Sequence, residues 1–368
     1  MRLVVDAHLD LAWNALSLNR DMTSSLEEIR RAEAAWDDDP SRGRSTVTLP
    51  EMRRSGVAIC IATLLARAGP CPPKKPPLAR MDIDYPTQAI AHAVARGQLA
   101  YYELLESLGE IRILRTRGDL DEHWTRWAHP HAAGGASHAQ LPVGVILGME
   151  CADPILTPPQ LRQWWAQGLR TIEPSHYGHS RYAAGNGAEG GLTAIGVELL
   201  AQMQEFGAML DLTHLSDQSI DEALDLYGGP VLASHSNCRS LVDGQRQLPD
   251  RHIRQIIDRG GVIGAAIYNA MLRAGWQYGK DAGDRVPLEN VALHIDHVCQ
   301  LAGDSRHAGI GSDLDGGFGN EATPLGIDTI ADLHKIAEPL DKRGYRGADL
   351  DNIFHANWLR LFQAALPE

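Results

Sequence analysis

Short apolar runs alternate with helical patterns along nearly the whole chain, and this rhythm constrains the fold more than any other feature. The runs cover residues 3–6, 57–65, 143–149, 169–172, 208–212, 231–233, 261–267 and 308–311. Helix-like stretches at 88–108, 159–167, 192–206, 217–226, 250–259 and 288–302 lie between them. A repeated β-then-α order predicts a parallel sheet, and eight such strands predict a closed (β/α)8 TIM barrel. The 368 residues fit one barrel domain with insertions around 14–54 and 66–82. The second insertion carries five prolines between positions 69 and 77. Both insertions suit lids or oligomer contacts. The stretch 129–140, with His129, His131 and His138, reads as a solvated loop rather than a metal site.

Polar residues of metal-binding type close six of these positions along the runs: His8 and Asp10 after the first, Glu150 after the third, His214 after the fifth, His235 after the sixth and Asp313 after the eighth. Parallel strands closing into a barrel bring their C-terminal ends to one rim, so a single shared metal site explains all six. His8 and Asp10 stand two residues apart and share a strand face. An imidazole beside a carboxylate suits zinc or another divalent metal. Taken alone, the pair fits a hydrogen-bonded strand-end histidine equally well.

His214 and His235 each precede a serine that explains itself as a helix cap; the histidines have no such structural duty, and two on consecutive strands favour a site. Glu150 ends a wholly apolar run, where a carboxylate is costly to bury without a cation or donors, and its two oxygens can bridge two metals. Asp313 and Asp315 stand in a glycine-rich turn, and one of them can act beside a water as proton acceptor and donor.

Composition excludes several classes of function. Lys and Arg number 34 against 47 Asp and Glu, a formal net charge of −13, which argues against a nucleic-acid partner. No run approaches the roughly 20 apolar residues of a membrane span. The start, reaching His8 almost at once, leaves no room for a signal peptide, so a cytoplasmic protein is expected. Cys60, Cys71, Cys151, Cys238 and Cys299 are scattered without a C-x-x-C pair, as free thiols in a reducing compartment would be. Cys151 follows Glu150 but reads as a small buried hydrophobe.

In collinear order the chain carries Asp6-Ala7-His8-Leu9-Asp10, Met149-Glu150, Ser175-His176, Asp211-Leu212-Thr213-His214-Leu215-Ser216, Ser234-His235-Ser236, Arg246 with Leu248-Pro249-Asp250, Gly311-Ser312-Asp313-Leu314-Asp315-Gly316, and Asn357 with Leu359-Arg360-Leu361-Phe362. This ordered set resembles the renal or membrane dipeptidases, metal-dependent hydrolases of the amidohydrolase-like barrels. The resemblance implies two zinc ions, or another divalent metal, per chain. His8, Asp10 and Glu150 would hold one, with Glu150 bridging to a second held by His214 and His235. It implies that a metal-activated water attacks the peptide carbonyl, Asp313 moves the proton, His176 binds and polarises the carbonyl, and Arg246 binds the substrate's terminal carboxylate. Dipeptides, L,D-dipeptides included, are the implied substrates, and a homodimer the implied assembly.

The chain departs from that family after the bridging glutamate, at Cys151-Ala152-Asp153-Pro154, and after His176, where His179 stands in place of an asparagine. The pocket wall is therefore expected to differ. Two other readings share the metal core: a hydrolase of N-acyl amino acids or another small amide, and a barrel that keeps the site without turnover.

Overall fold

The computed structural model describes residues 2–69, 83–130, 137–281 and 283–368. Eight parallel strands form the barrel: β1 Val4–Leu9, β2 Val57–Leu65, β3 Val143–Glu150, β4 Leu169–Ile172, β5 Met209–Asp211, β6 Val231–Leu232, β7 Ile263–Ala265 and β8 Ala308–Ile310. Neighbours pair in the order β7-β8-β1-β2-β3-β4-β5-β6. A parallel bridge from Ala233 to Ile263 joins the two ends of that series. These are the eight strands the alternation predicts, and the (β/α)8 barrel stands.

The strand bounds shift in one informative place. β1 runs on to Leu9, so His8 lies within the strand rather than beyond it. A ninth short strand, Ile111–Ile113, pairs in parallel with the first residues of β3, whose last residues pair with β4. Three residues are too few to show a period in the sequence, and only the eight-residue length of β3 leaves room for both partners.

The helices end where the sequence supplies caps. Thr193 accepts from the amide of Gly196 to open Ala194–Phe206, and Gly207, at φ 71°, closes it in the left-handed region. Ser216 caps Asp217–Leu226 in the same manner, directly after a strand end that carries His214. The expected helix at 159–167 is instead a 3-10 turn, Pro158–Gln160, followed by Leu161–Ala166. The last helix, Asn357–Ala365, returns to the barrel: the Asn357 amide donates to the carbonyls of Ser305 and Ala308, and the Trp358 indole to that of Ile310.

The insertion at 14–54 holds two helices of its own, Leu26–Glu33 and Leu49–Ser55. The proline-rich insertion lies almost wholly outside the described residues. Among the described residues His129 and His138 take part in no cluster of candidate metal ligands, and His138 bonds the carbonyl of Trp127; His131 lies outside the described residues. Cys60, Cys151, Cys238 and Cys299 are free and buried, while Cys71 lies outside them. Among the described residues no helix is long and apolar enough to cross a membrane.

Candidate active site

Glu150 is the centre of the rim cluster. Its Oε1 lies 3.2 Å from His176 Nε2, 3.5 Å from His214 Nε2 and 3.8 Å from His235 Nε2, and its Oε2 lies 3.5 Å from His8 Nε2. His8 Nε2 is also 3.8 Å from Asp10 Oδ1. The structure thus gathers His8, Asp10, Glu150, His214 and His235 at one place, with one carboxylate oxygen turned to each half of the set. Asp313 joins from the eighth strand end, with a ligand atom within 4.8 Å of those of His8 and His235.

The backbone is bent to aim these side chains. His214 and Asp313 sit at φ 64° and 58°, a left-handed conformation that costs energy in residues other than glycine and concentrates at functional sites. Asp211 accepts from the amides of Thr213 and Ser234, clamping two adjacent strand ends. The Asn186 amide bonds the carbonyls of both His176 and His214. Beside it, a Cβ on Gly185 would lie 1.8 Å from the His176 carbonyl oxygen, so only glycine fits. Gly264 and Gly311 meet the Ser234 carbonyl as closely, at 1.9 and 1.7 Å for an added Cβ. The sixth, seventh and eighth strand ends therefore pack backbone to backbone under the cluster.

The donor set fits divalent metal. His8 and His235 are each 1% exposed, and His8 Nε2 and Glu150 Oε2 have no hydrogen-bond partner. Buried polar atoms are seldom left so. His214 Nε2 and His235 Nε2 face one another at 3.1 Å, a spacing that calls for a proton or a cation. Two imidazoles and one oxygen of a shared carboxylate on one side, and an imidazole with two carboxylates on the other, are the nitrogen and oxygen donors that zinc-like ions take.

Supporting hydrogen bonds orient the set. Ser234 Oγ stands 2.8 Å from His235 Nδ1, 3.4 Å from His8 Nδ1 and 3.4 Å from Glu173 Oε1. One arrangement satisfies all three: the hydroxyl donates to Glu173 and accepts from both rings, which for neutral rings leaves both Nε2 atoms free to take a cation. The Thr63 hydroxyl donates to Asp10 Oδ1. Glu173 was not anticipated from the sequence. Its signal was weaker than that of Glu150, because it follows β4, where Arg170 and Thr171 interrupt the apolar residues.

Burial and neighbouring charge set the protonation states. Burial opposes charge on His8, but Glu150 and Asp10 outweigh it and raise its pKa well above the usual value. Burial, joined by the Arg246 charge, holds His214 well below the usual histidine range. His235 is also held well below that range, by burial, then His8 and Arg246. Burial raises Asp313 well above an ordinary aspartate, with Asp10 and Glu150 adding to it against His8 and Arg246. Glu173 is raised well above its usual value by burial, then by Asp211 and Glu150. His176 is lowered by burial, with Arg67 and Arg246 adding.

Of the two aspartates in the glycine-rich turn, Asp313 faces the cluster and Asp315 faces away. Asp315 accepts from the Ser45 hydroxyl and from the amides of Thr46 and Val47, which ties the 14–54 insertion to the eighth strand end. Arg246 donates to the His235 carbonyl at 2.8 Å and to Ser236 Oγ at 3.3 Å.

A cavity of about 320 Å³ opens over Asp10, Glu150, His176, His214 and Asp313. Arg67 and Arg246 reach it, and Trp13, Tyr177, Tyr268 and Phe318 give it apolar walls.

A profile of the membrane dipeptidase family, peptidase family M19, matches residues 2–366. The chain belongs to this family. As a member of it, the protein is a metallo-dipeptidase, a hydrolase of peptide bonds. An uncharacterized protein in the pqqA 5' region of Klebsiella pneumoniae is 31% identical over 211 residues, 55% of this chain and 74% of its own length. An uncharacterized dipeptidase of Schizosaccharomyces pombe is 26% identical, over 79% of this chain and 66% of its own. Among solved structures, a metallo peptidase from Rhodobacter sphaeroides bound to a phosphinate mimic of the dipeptide L-Ala-D-Ala superposes with a TM-score of 0.72 at 24% identity, over 99% of both chains. The dipeptidase fold is thus shared over the full length.

Proposed function

We propose that the protein is a dinuclear zinc dipeptidase that cleaves dipeptides, L,D-dipeptides among them. The observation that carries this reading is Glu150, whose Oε2 faces His8 Nε2, both atoms without a hydrogen-bond partner, while its Oε1 faces the paired Nε2 atoms of His214 and His235. His8, Asp10 and Glu150 would hold one divalent ion, and Glu150, His214 and His235 the other. Bound there, the ions supply Lewis acidity and a water of lowered pKa.

The chain's own residues do the rest. Asp313 takes the proton of the attacking water and passes it to the leaving nitrogen; its raised pKa suits a carboxylate that must hold a proton between those steps. His176 donates to the carbonyl oxygen as negative charge grows on it. Arg246 pairs with the substrate's terminal carboxylate, for which a guanidinium's forked donors are suited. A carboxylate-binding arginine beside the reacting bond, in a cavity of about 320 Å³, favours very short peptides over proteins. The reading treats residues 1–368 as one barrel domain with its two insertions.

A panel of L,L- and L,D-dipeptides, incubated with the purified protein before and after chelation, tests this. Release of free amino acids that chelation abolishes and zinc restores is expected. Cleavage of N-acyl amino acids but of no dipeptide would transfer the site to other amides.

A further inference from the structure

Four histidines crowd around Glu150: His8 and His235 share the Ser234 hydroxyl behind their rings, His214 Nδ1 has no hydrogen-bond partner, and His176 alone of the four meets an arginine. Arginine donates hydrogen bonds and accepts none. Arg67 NH1 lies 2.7 Å from His176 Nδ1, so Nδ1 is the accepting nitrogen and the ring proton resides on Nε2. That nitrogen points at Glu150 Oε1, 3.2 Å away, on the floor of the cavity. His235 has the opposite arrangement available, with a serine hydroxyl at Nδ1 and Nε2 directed at another imidazole nitrogen.

Arg67 is built in to hold this position. The two-residue strand Arg67–Ala68 pairs in parallel with Asp84–Tyr85. The Arg67 amide donates to the Ile83 carbonyl at 2.7 Å, and its second terminal nitrogen bonds Asp84 Oδ2 at 2.7 Å. The Ala68 amide bonds Asp153 Oδ2 at 2.8 Å. The guanidinium is therefore fixed from its backbone and from its far end.

We propose that Arg67 is a positioning residue that locks His176 as the Nε2–H tautomer, making it a hydrogen-bond donor to the scissile carbonyl and keeping it out of the metal-ligand set it adjoins. A carboxylate behind the ring would do the reverse, placing the proton on Nδ1 and leaving Nε2 basic. The inference rests on the dipeptidase reading for the identity of the acceptor, and on geometry alone for the tautomer.

The experiment is ¹⁵N NMR of histidine-labelled, zinc-loaded protein, together with dipeptide kinetics of Arg67→Met and Arg67→Lys. Wild-type His176 should show a protonated Nε2 and an unprotonated Nδ1. Arg67→Met should lose that bias and lower kcat by about 10- to 100-fold with metal content and KM nearly unchanged, and Arg67→Lys, which keeps a donor, should recover most of the loss. In a His176→Ala background, Arg67→Met should cost nothing further. Should Arg67→Met fail to fold, Asp84→Asn, which frees one end of the guanidinium, should mix the tautomers and lower kcat several-fold. An unprotonated Nε2 in wild type, an unchanged kcat in the variant that folds, or an equal loss in the His176→Ala background would overturn the proposal. The tautomer is read whether or not any dipeptide is cleaved, so its failure and that of the dipeptidase reading are distinguishable.

Discussion

His123 and His294, in the helical layer, and His8, His214 and His235, at the rim, are all buried, yet their ring nitrogens meet different things. His123 Nε2 bonds the Ala58 carbonyl at 2.9 Å, and His294 Nδ1 accepts from the Cys238 amide at 3.0 Å. Each of these two is joined to backbone, and neither belongs to a group of candidate metal ligands among the described residues. The rim histidines turn their Nε2 atoms toward one another and toward a shared carboxylate. Burial is common to both regions and identifies neither; convergence of ring nitrogens on one another and on a shared carboxylate separates a site from a fastening.

The largest effect should come from exchanging the two regions' roles by mutation. His214→Ala should cut dipeptide hydrolysis about a thousandfold or more and lower bound metal, with little change in the thermal midpoint of the metal-free protein. His123→Ala should leave metal stoichiometry intact and cost about 2 kcal/mol of stability through a lost buried bond and packing. Elemental analysis and thermal unfolding of both variants check this, and the comparison breaks if the two sets of effects coincide.

Next is the pH dependence of folding. Burial lowers both His123 and His294 from 6.5 to about 4. Below pH 6.5 the unfolded chain takes up protons that the folded chain refuses, so stability is full above that pH and falls as pH drops toward 4, by roughly 3 kcal/mol for each group. Unfolding of the metal-free protein between pH 7 and 4, wild type against His123→Gln, should differ in slope by this one group's share, the other buried groups being common to both.

The barrel strands, their order and the polar residues that converge at the rim were legible because apolar runs and the residues closing them are local features of the chain. What was not legible depended on distant partners. Asp313 stood out at the end of the eighth run, but the tie that Asp315 makes to Ser45, Thr46 and Val47 spans some 270 residues and leaves no local pattern. The strand Ile111–Ile113 exists because β3 has a free flank. Glu173 gave a weaker signal because Arg170 and Thr171 break the apolar pattern before it, and its bond to Ser234 places it beside His8 and His235.

Smaller effects refine the picture of the rim. Gly311→Ala drives a Cβ to 1.7 Å from the Ser234 carbonyl oxygen, and should cost about 1–3 kcal/mol while displacing His235 and weakening metal binding. Arg246→Lys retains the charge and loses the fork; it should raise KM about tenfold with kcat less affected. A uniform fall in kcat instead would assign Arg246 to the reacting bond rather than to the substrate's end.

The most direct test of the account is the metal stoichiometry of the purified protein, measured by elemental analysis after zinc reconstitution and removal of free ion. About two zinc per wild-type chain, falling in Glu150→Gln, is the predicted result, since one carboxylate serves both halves of the cluster. No retained metal after reconstitution, or full retention in Glu150→Gln, would contradict it.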